Sequence, residues 1–299
     1  VKVLVTIPHF YKGVRGSRYG SQATDGAARA RAFSRCVSSL HRVLGGKQHM
    51  TNLVALFADP RSTPNTVLPI AGPANAAITN RIDIVVLTVG EDHLLDRVPF
   101  LRGAFAHHPV QCDSRLLGFE CHAVLSGSLG GYDYYCYTED DLVIHDPWFF
   151  VKLRHFCDQN GDDALPQPNR FEFAENVLAL KAYVDGDLPR EMTSRFQDVR
   201  DRPEVQLSAV GVSAACSRTS NPHAGCFFLN SRQMERWCGQ PYFLDRDSSF
   251  VGPLESAATL GIMRTFRIYK PVARVASFFE IQHSGDGWIR RLAAIQSRL

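Results

Sequence analysis

Tyr132-Asp133-Tyr134-Tyr135-Cys136-Tyr137-Thr138-Glu139-Asp140-Asp141-Leu142-Val143-Ile144-His145-Asp146-Pro147 is the stretch on which the fold turns. Its aromatic opening, residues 132–138, suits the pleated, half-buried surface of a strand. Three consecutive acids, Glu139, Asp140 and Asp141, follow directly. Beyond them Asp146-Pro147 reads as a helix start, with Asp146 as N-cap and Pro147 at the first helical position before the apolar Trp148, Phe149 and Val151. The triplet is therefore expected at the carboxyl end of a strand and before a helix, where open α/β sheets gather their ligands.

Upstream, residues 1–8 read as a strand leading into a polar, Gly-rich loop. Residues 27–44 then carry Phe33, Val37, Leu40 and Leu44 at helical spacing. A second apolar run, 52–58, stops at Asp59-Pro60. The run 82–88 is mostly β-branched, and 116–129 reads as a helix broken by Gly130-Gly131. Near-continuous apolar strands separated by helices predict an α/β fold with a mostly parallel central sheet flanked by helices. Past Asn160 the pattern loosens through Pro166, Pro168 and the polar stretch 185–203, and order resumes at 224–230. These residues are expected as insertions within a single domain, 1–299. A division near Pro147 into halves 1–146 and 147–299 has no flexible linker.

The 299 residues suffice for one large domain, and 45% hydrophobic with 21% charged residues is an ordinary globular composition. A formal charge of +3, from 33 basic and 30 acidic residues, is too small to imply a nucleic-acid partner. No apolar run reaches the roughly 18 residues of a membrane span, so no transmembrane segment is expected. The beginning reads as a strand rather than a secretory signal. Eight cysteines without a Cys-x-x-Cys pair disfavour structural zinc, and Cys136 and Cys226, inside apolar segments, are expected as free thiols of a reduced, cytoplasmic protein. Walker and dinucleotide glycine motifs are absent.

Clustered carboxylates repel and are costly to desolvate, so they stay solvated or gain a cation. Mg2+ or Mn2+ would resolve the repulsion, since Mg2+ in particular binds through one or two carboxylates together with substrate phosphates. The bland alternative is a solvated turn, with Asp146 merely capping the next helix.

The segment 132–147 resembles the Asp-x-Asp region of GT-A glycosyltransferases, and the β-α-β order before it is similar to their nucleotide-binding half. The resemblance implies a metal-dependent hexosyltransferase-like enzyme moving a sugar from a nucleotide-sugar, a UDP-sugar by preference, to a hydroxyl of a carbohydrate or other acceptor, with inversion. It implies that 1–146 binds the donor and 147–299 the acceptor. Asp141 would hold Mn2+ or Mg2+, and Glu139, a departure from the family's first Asp, would reach ribose or metal, with Asp140 among the donor contacts. His283, before a Ser-Gly loop, would join the metal or diphosphate; a lone histidine is otherwise usually structural. Thr6, Ile7 and Pro8 would border the base, and Asp59 would bind uracil or ribose. Of Arg29, Arg31, Arg35 and Arg115, Arg115 is preferred for phosphate, against the ordinary reading of a solvated helix face. Gly225 would let the backbone approach the sugar or be a simple bulge, and Trp148 would contact sugar. Glu255, third in a helix opened by Pro253, is either the catalytic base or a support for the helix cap.

Rival readings are a sugar-phosphate nucleotidyltransferase, whose Gly-rich basic loop is not matched by Pro8-His9-Phe10-Tyr11-Lys12-Gly13; a non-catalytic carbohydrate binder using Trp148, Phe171 and Trp237; and a metallohydrolase, which would need more His and Asp ligands.

Overall fold

The computed structural model describes residues 1–14, 25–45, 48–51, 70–75, 77, 80–174 and 181–296. The strand expected over 52–58, and Asp59 with it, lie outside them. Along the chain run β1 (Lys2–Pro8), α1 (Gly26–Leu44), β2 (Gln48–Thr51), β3 (Ile70–Ala74), β4 (Arg81–Val89), β5 (Ala106–Val110), α2 (Leu117–Ser126), β6 (Tyr134–Thr138) and β7 (Leu142–Val143). There follow α3 (Phe149–Asn160), β8 (Ala164–Pro166), β9 (Asn169–Phe173), β10 (Lys181–Tyr183), β11 (Glu204–Ala209), β12 (Val212–Arg218), β13 (Cys226–Asn230), α4 (Ser231–Cys238), α5 (Pro253–Thr265), β14 (Arg267–Pro271), β15 (Glu280–His283) and α6 (Gly287–Gln296).

The central sheet has the order β13-β6-β1-β4-β5. Its pairings β6–β1, β1–β4 and β4–β5 are parallel, and only β13 runs against its neighbour β6. Alternation along β1 sends Val3, Val5 and Ile7 to one face, where they pack with Phe33, Val37 and Leu40 of α1. Leu4 faces the other side, with Leu117, Cys121 and Leu125 of α2 and Ala257 and Ala258 of α5. Both faces are thus covered, which is why β1 is apolar almost throughout. Each fully buried Val, Leu, Ile or Phe contributes roughly 1.5–3 kcal/mol from removal of its surface from water.

The second half departs from the expected loose insertions. Two further four-stranded sheets, β10-β9-β15-β7 and β11-β12-β14-β8, are built from these residues together with β7 of the first half, and each mixes one parallel pairing with antiparallel ones. The helix expected at Asp146-Pro147 begins later, at Phe149, with Trp148 as N-cap. Asp146 Oδ1 accepts from the Trp148 backbone N–H at 2.8 Å, so the side chain closes an Asx turn ahead of the helix. All eight cysteines are free. Among the described residues no helix is long and apolar enough to cross a membrane.

Candidate active site

Backbone hydrogen bonds bring three distant segments together at the carboxyl edge of the central sheet. Where β6 ends, Glu139 N–H donates to Gly225 O at 2.9 Å. Two residues on, Asp141 O accepts from Ser284 N–H at 2.7 Å, and β7 pairs with β15 so that Leu142 lies opposite His283. The short strand β7 is therefore what delivers His283 to the triplet.

The three acids have different surroundings. Asp140, 2% exposed, faces His9 Nδ1 at 2.5 Å and receives a short bond from Arg29 Nη2. His9 Nε2 accepts from Leu94 N–H at 3.1 Å, so Nδ1 is the ring's donor and its proton goes to Asp140. The imidazole is further fixed by stacking on Phe33, with centroids 4.4 Å apart. Arg29 also donates from Nη1 to Asp141 Oδ2 at 2.7 Å. Burial disfavours the Arg29 charge, but Asp140 and Asp141 outweigh it and hold the guanidinium protonated.

Glu139 is less well compensated. Its oxygens lie 3.9 Å from Arg170 Nη1 and 3.8 Å from His223 Nε2, both beyond hydrogen-bond distance, and Oε1 has no partner. Burial, with repulsion from Asp141 and Glu255 and against the pull of Arg170 and His283, pushes its carboxyl up to about 7. Asp141 moves the other way: burial alone would raise it, but His283 and Arg29 hold it below the ordinary carboxylate range. Its Oδ1 is also buried without a partner. His283 Nε2 lies 3.7 Å from Asp141 Oδ2, and its Nδ1 lies 3.0 Å from Glu172 Oε1. Behind Arg170, a buried Asp185 binds Arg170 Nε at 2.8 Å and Lys270 Nζ at 2.8 Å. Those cations overcome burial and hold Asp185 down to about 2.

Gly225 has φ +68°, and a Cβ there would stand 2.7 Å from Glu139 Oε2 and 3.1 Å from Leu142 Cδ1. The glycine is required both by its left-handed backbone and by the carboxylate packed against it. Glu255 stands third in α5, whose first residue is Pro253, and no side-chain hydrogen bond caps that helix start. It is half-buried and close enough to Glu139 to raise its carboxyl.

The remaining expected residues have other surroundings. Thr6 Oγ1 donates to Cys136 O at 3.2 Å, and Ile7 and Pro8 are buried at the end of β1, just before His9 in the chain. Arg115 is 77% exposed and bonds Asp113, two residues back, at 2.6 Å. Trp148 is 53% exposed at the N-cap of α3. Among the described residues no three His, Cys, Asp or Glu stand ready to enclose a metal ion. The donors are nevertheless of the right kind: unpartnered oxygens on Glu139 and Asp141 and an imidazole nitrogen on His283. Such a set fits a hard cation that takes its remaining ligands from phosphate and water.

His9, Arg170, Glu172 and His223 escaped assignment from sequence, Arg29 was a phosphate candidate ranked below Arg115, and two signals for these residues were present. His9 and Arg29 flank the first loop, whose ends a β-loop-α unit must place at the carboxyl edge. In Asn169-Arg170-Phe171-Glu172-Phe173 charges alternate with aromatics, so Arg170 and Glu172 share one face of β9.

No family model and no curated protein match this chain. Among solved structures it is similar to S. aureus TarS, with a TM-score of 0.45 and 11% identity over 99% of this chain and 39% of that one. It is also similar to mouse xyloside xylosyltransferase 1, with a TM-score of 0.44 and 10% identity over 96% of this chain and 99% of that one. A putative glucose-1-phosphate thymidylyltransferase from Bacillus anthracis gives a TM-score of 0.33 and 11% identity over 98% and 94% of the two chains. The chain spans 39% of the length of TarS.

Proposed function

We propose that this chain is a GT-A glycosyltransferase that moves a sugar from a nucleotide-sugar, a UDP-sugar by preference, to an acceptor hydroxyl with inversion, using Mn2+ or Mg2+. The observation that carries the proposal is the pair of buried, unpartnered oxygens, Glu139 Oε1 and Asp141 Oδ1, at the end of a parallel strand beside His283. A buried acceptor left without a partner costs about 1–3 kcal/mol, more when charged, and a cation would relieve that cost.

Asp141, Glu139 and His283 would hold the cation, which when bound neutralises charge on the departing nucleotide diphosphate. The chain's own residues do the rest. Arg29 balances Asp140 and Asp141 from behind, and Arg170, held at Nε by Asp185, turns its Nη1 toward Glu139 and the phosphate side. The end of β1 at Thr6, Ile7 and Pro8 would border the nucleotide, with Asp59 proposed for uracil or ribose, while Trp148 and the backbone at Gly225 would border the sugar or acceptor. Glu255 accepts the proton of the attacking hydroxyl, the step for which a metal-assisted leaving group still needs a protein base. Donor residues come from 1–146, and Gly225, Glu255 and His283 come from 147–299.

Incubation with a panel of UDP-, GDP- and CMP-sugars plus Mn2+ tests the proposal. Slow release of nucleotide from one donor class, abolished by EDTA, is expected; no release from any donor, or release indifferent to EDTA, overturns it.

A further inference from the structure

Glu172 is fully buried on β9, and both of its oxygens are used. Oε2 accepts from the backbone N–H of Trp288 at 2.8 Å and of Ile289 at 2.9 Å, in the first turn of α6. These are N–H groups that a helix start cannot satisfy internally. Oε1 faces His283 Nδ1 at 3.0 Å. Parallel pairing of β9 with β15 sets Phe171 opposite Gln282 and so brings the two side chains into register.

The direction of the hydrogen bond follows from elementary chemistry. Two backbone N–H groups converge on Oε2 at 2.8 and 2.9 Å, an arrangement that favours the ionised carboxylate. An ionised carboxylate only accepts, so Nδ1 carries the proton. In the neutral ring the lone pair is then on Nε2, 3.7 Å from Asp141 Oδ2. Beside a carboxylate oxygen, that nitrogen is a place for a positive partner, either a proton on the ring or a cation.

We infer that Glu172 is a positioning residue that holds His283 in its Nδ1–H tautomer, presents Nε2 beside Asp141, and couples that orientation to the first turn of α6. The tautomer stands on the geometry alone; its use in cation binding rests on the function proposed above. Glutamate is needed because one group must serve two sets of donors. Gln has a single acceptor oxygen, so in E172Q either the imidazole or the α6 N–H pair faces an NH2 group. E172D keeps both acceptor oxygens and the charge on a shorter arm.

The test uses the ligand-free protein with 15N-labelled histidine. Two-bond 1H–15N correlation spectra, at a pH where the ring is neutral and with His283 assigned by its loss in H283Q, report the tautomer directly. The Nδ1–H pattern is expected in the wild type and in E172D, and Nε2–H or a mixture in E172Q. Mn2+ affinity with UDP present, followed by electron paramagnetic resonance of the free ion, should fall about 10-fold or more in E172Q, the range typical of outer partners of a metal-bound histidine. An Nε2–H wild type overturns the inference, as does an E172Q protein that keeps the wild-type tautomer and Mn2+ affinity. Unchanged Mn2+ affinity in H283Q would instead overturn the metal role of His283 and leave the tautomer to the spectra.

Discussion

Asp140 and Asp141 are adjacent in the chain, yet their side chains are committed to different tasks. Asp140 is enclosed by His9 and Arg29, whereas Asp141 shares Arg29 but keeps Oδ1 without a partner. The two Asp→Asn variants should therefore separate stability from function. D140N leaves His9 and Arg29 facing a neutral amide in a buried site, and breaking buried pairs of this kind costs about 3–5 kcal/mol. The low end is expected here because Arg29 retains Asp141, and a urea midpoint well below wild type is the readout. D141N should stay folded, lose most donor-dependent turnover, and bind nucleotide-sugar with little response to Mn2+. Full turnover in D141N would remove Asp141 from the site.

The element that matters most to the chemistry is α5, since its N-terminus carries Glu255 toward the acids. Were Glu255 only a cap support, Gln would replace it at small cost, because Gln is also accepted at that helical position. As general base it has no such substitute, and E255Q should lower turnover by roughly 100-fold or more with donor binding nearly unchanged. Product configuration read by NMR is an independent check: retention would recast Glu255 as an acceptor contact. The approach to β13 is under a different constraint. G225A places a Cβ at φ +68° and 2.7 Å from Glu139 Oε2. A left-handed non-glycine residue costs about 1–2 kcal/mol, and overpacking adds about 1–3 kcal/mol. Denaturant unfolding of G225A should show a loss in that combined range, together with reduced turnover as Glu139 is displaced; a stability equal to wild type would mean the loop relaxes freely.

At the scale of the whole molecule, acid stability depends on histidines buried between layers. His122 of α2 lies against Trp237 of α4, with ring centroids 4.8 Å apart, and Nε2–H donates to Ala257 O of α5 at 2.9 Å. Burial pushes its pKa from 6.5 down to about 4. Between those values the unfolded chain takes up a proton that the folded one refuses. Stability from this ring is thus complete above pH 6.5 and lost as pH falls toward 4, by up to about 3 kcal/mol. His223, also lowered by burial, contributes a slope of the same sign. Urea unfolding at a series of pH values should show this decline in the wild type and a shallower one in H122Q; equal slopes would mean that His122 charges without unfolding.

The local signals in the chain reached a definite distance. Side-chain periodicity, prolines and the apolar runs located β1, α1, β4, β6 and the start of α5, placed Glu255 at its third position, and put the acids at a strand end. These signals work because strand alternation, helical period and turn chemistry are set by neighbours a few residues apart. They failed over β8 and β10, where strands of 3 residues are too short to display a period, and over β9, where an alternation spanning only 5 residues was passed over. They also misplaced the start of α3, because an Asp before proline can close a turn as readily as a helix. Only the tertiary structure decided that β13 runs antiparallel to β6, that Arg29 rather than Arg115 faces the triplet, and that His283 meets Asp141. The side-chain partners of Asp140 lie 111 and 131 residues away along the chain, in Arg29 and His9. A carboxylate's charge state and freedom to take a ligand depend on such partners, and they are selected by strand pairing and burial rather than by adjacent sequence.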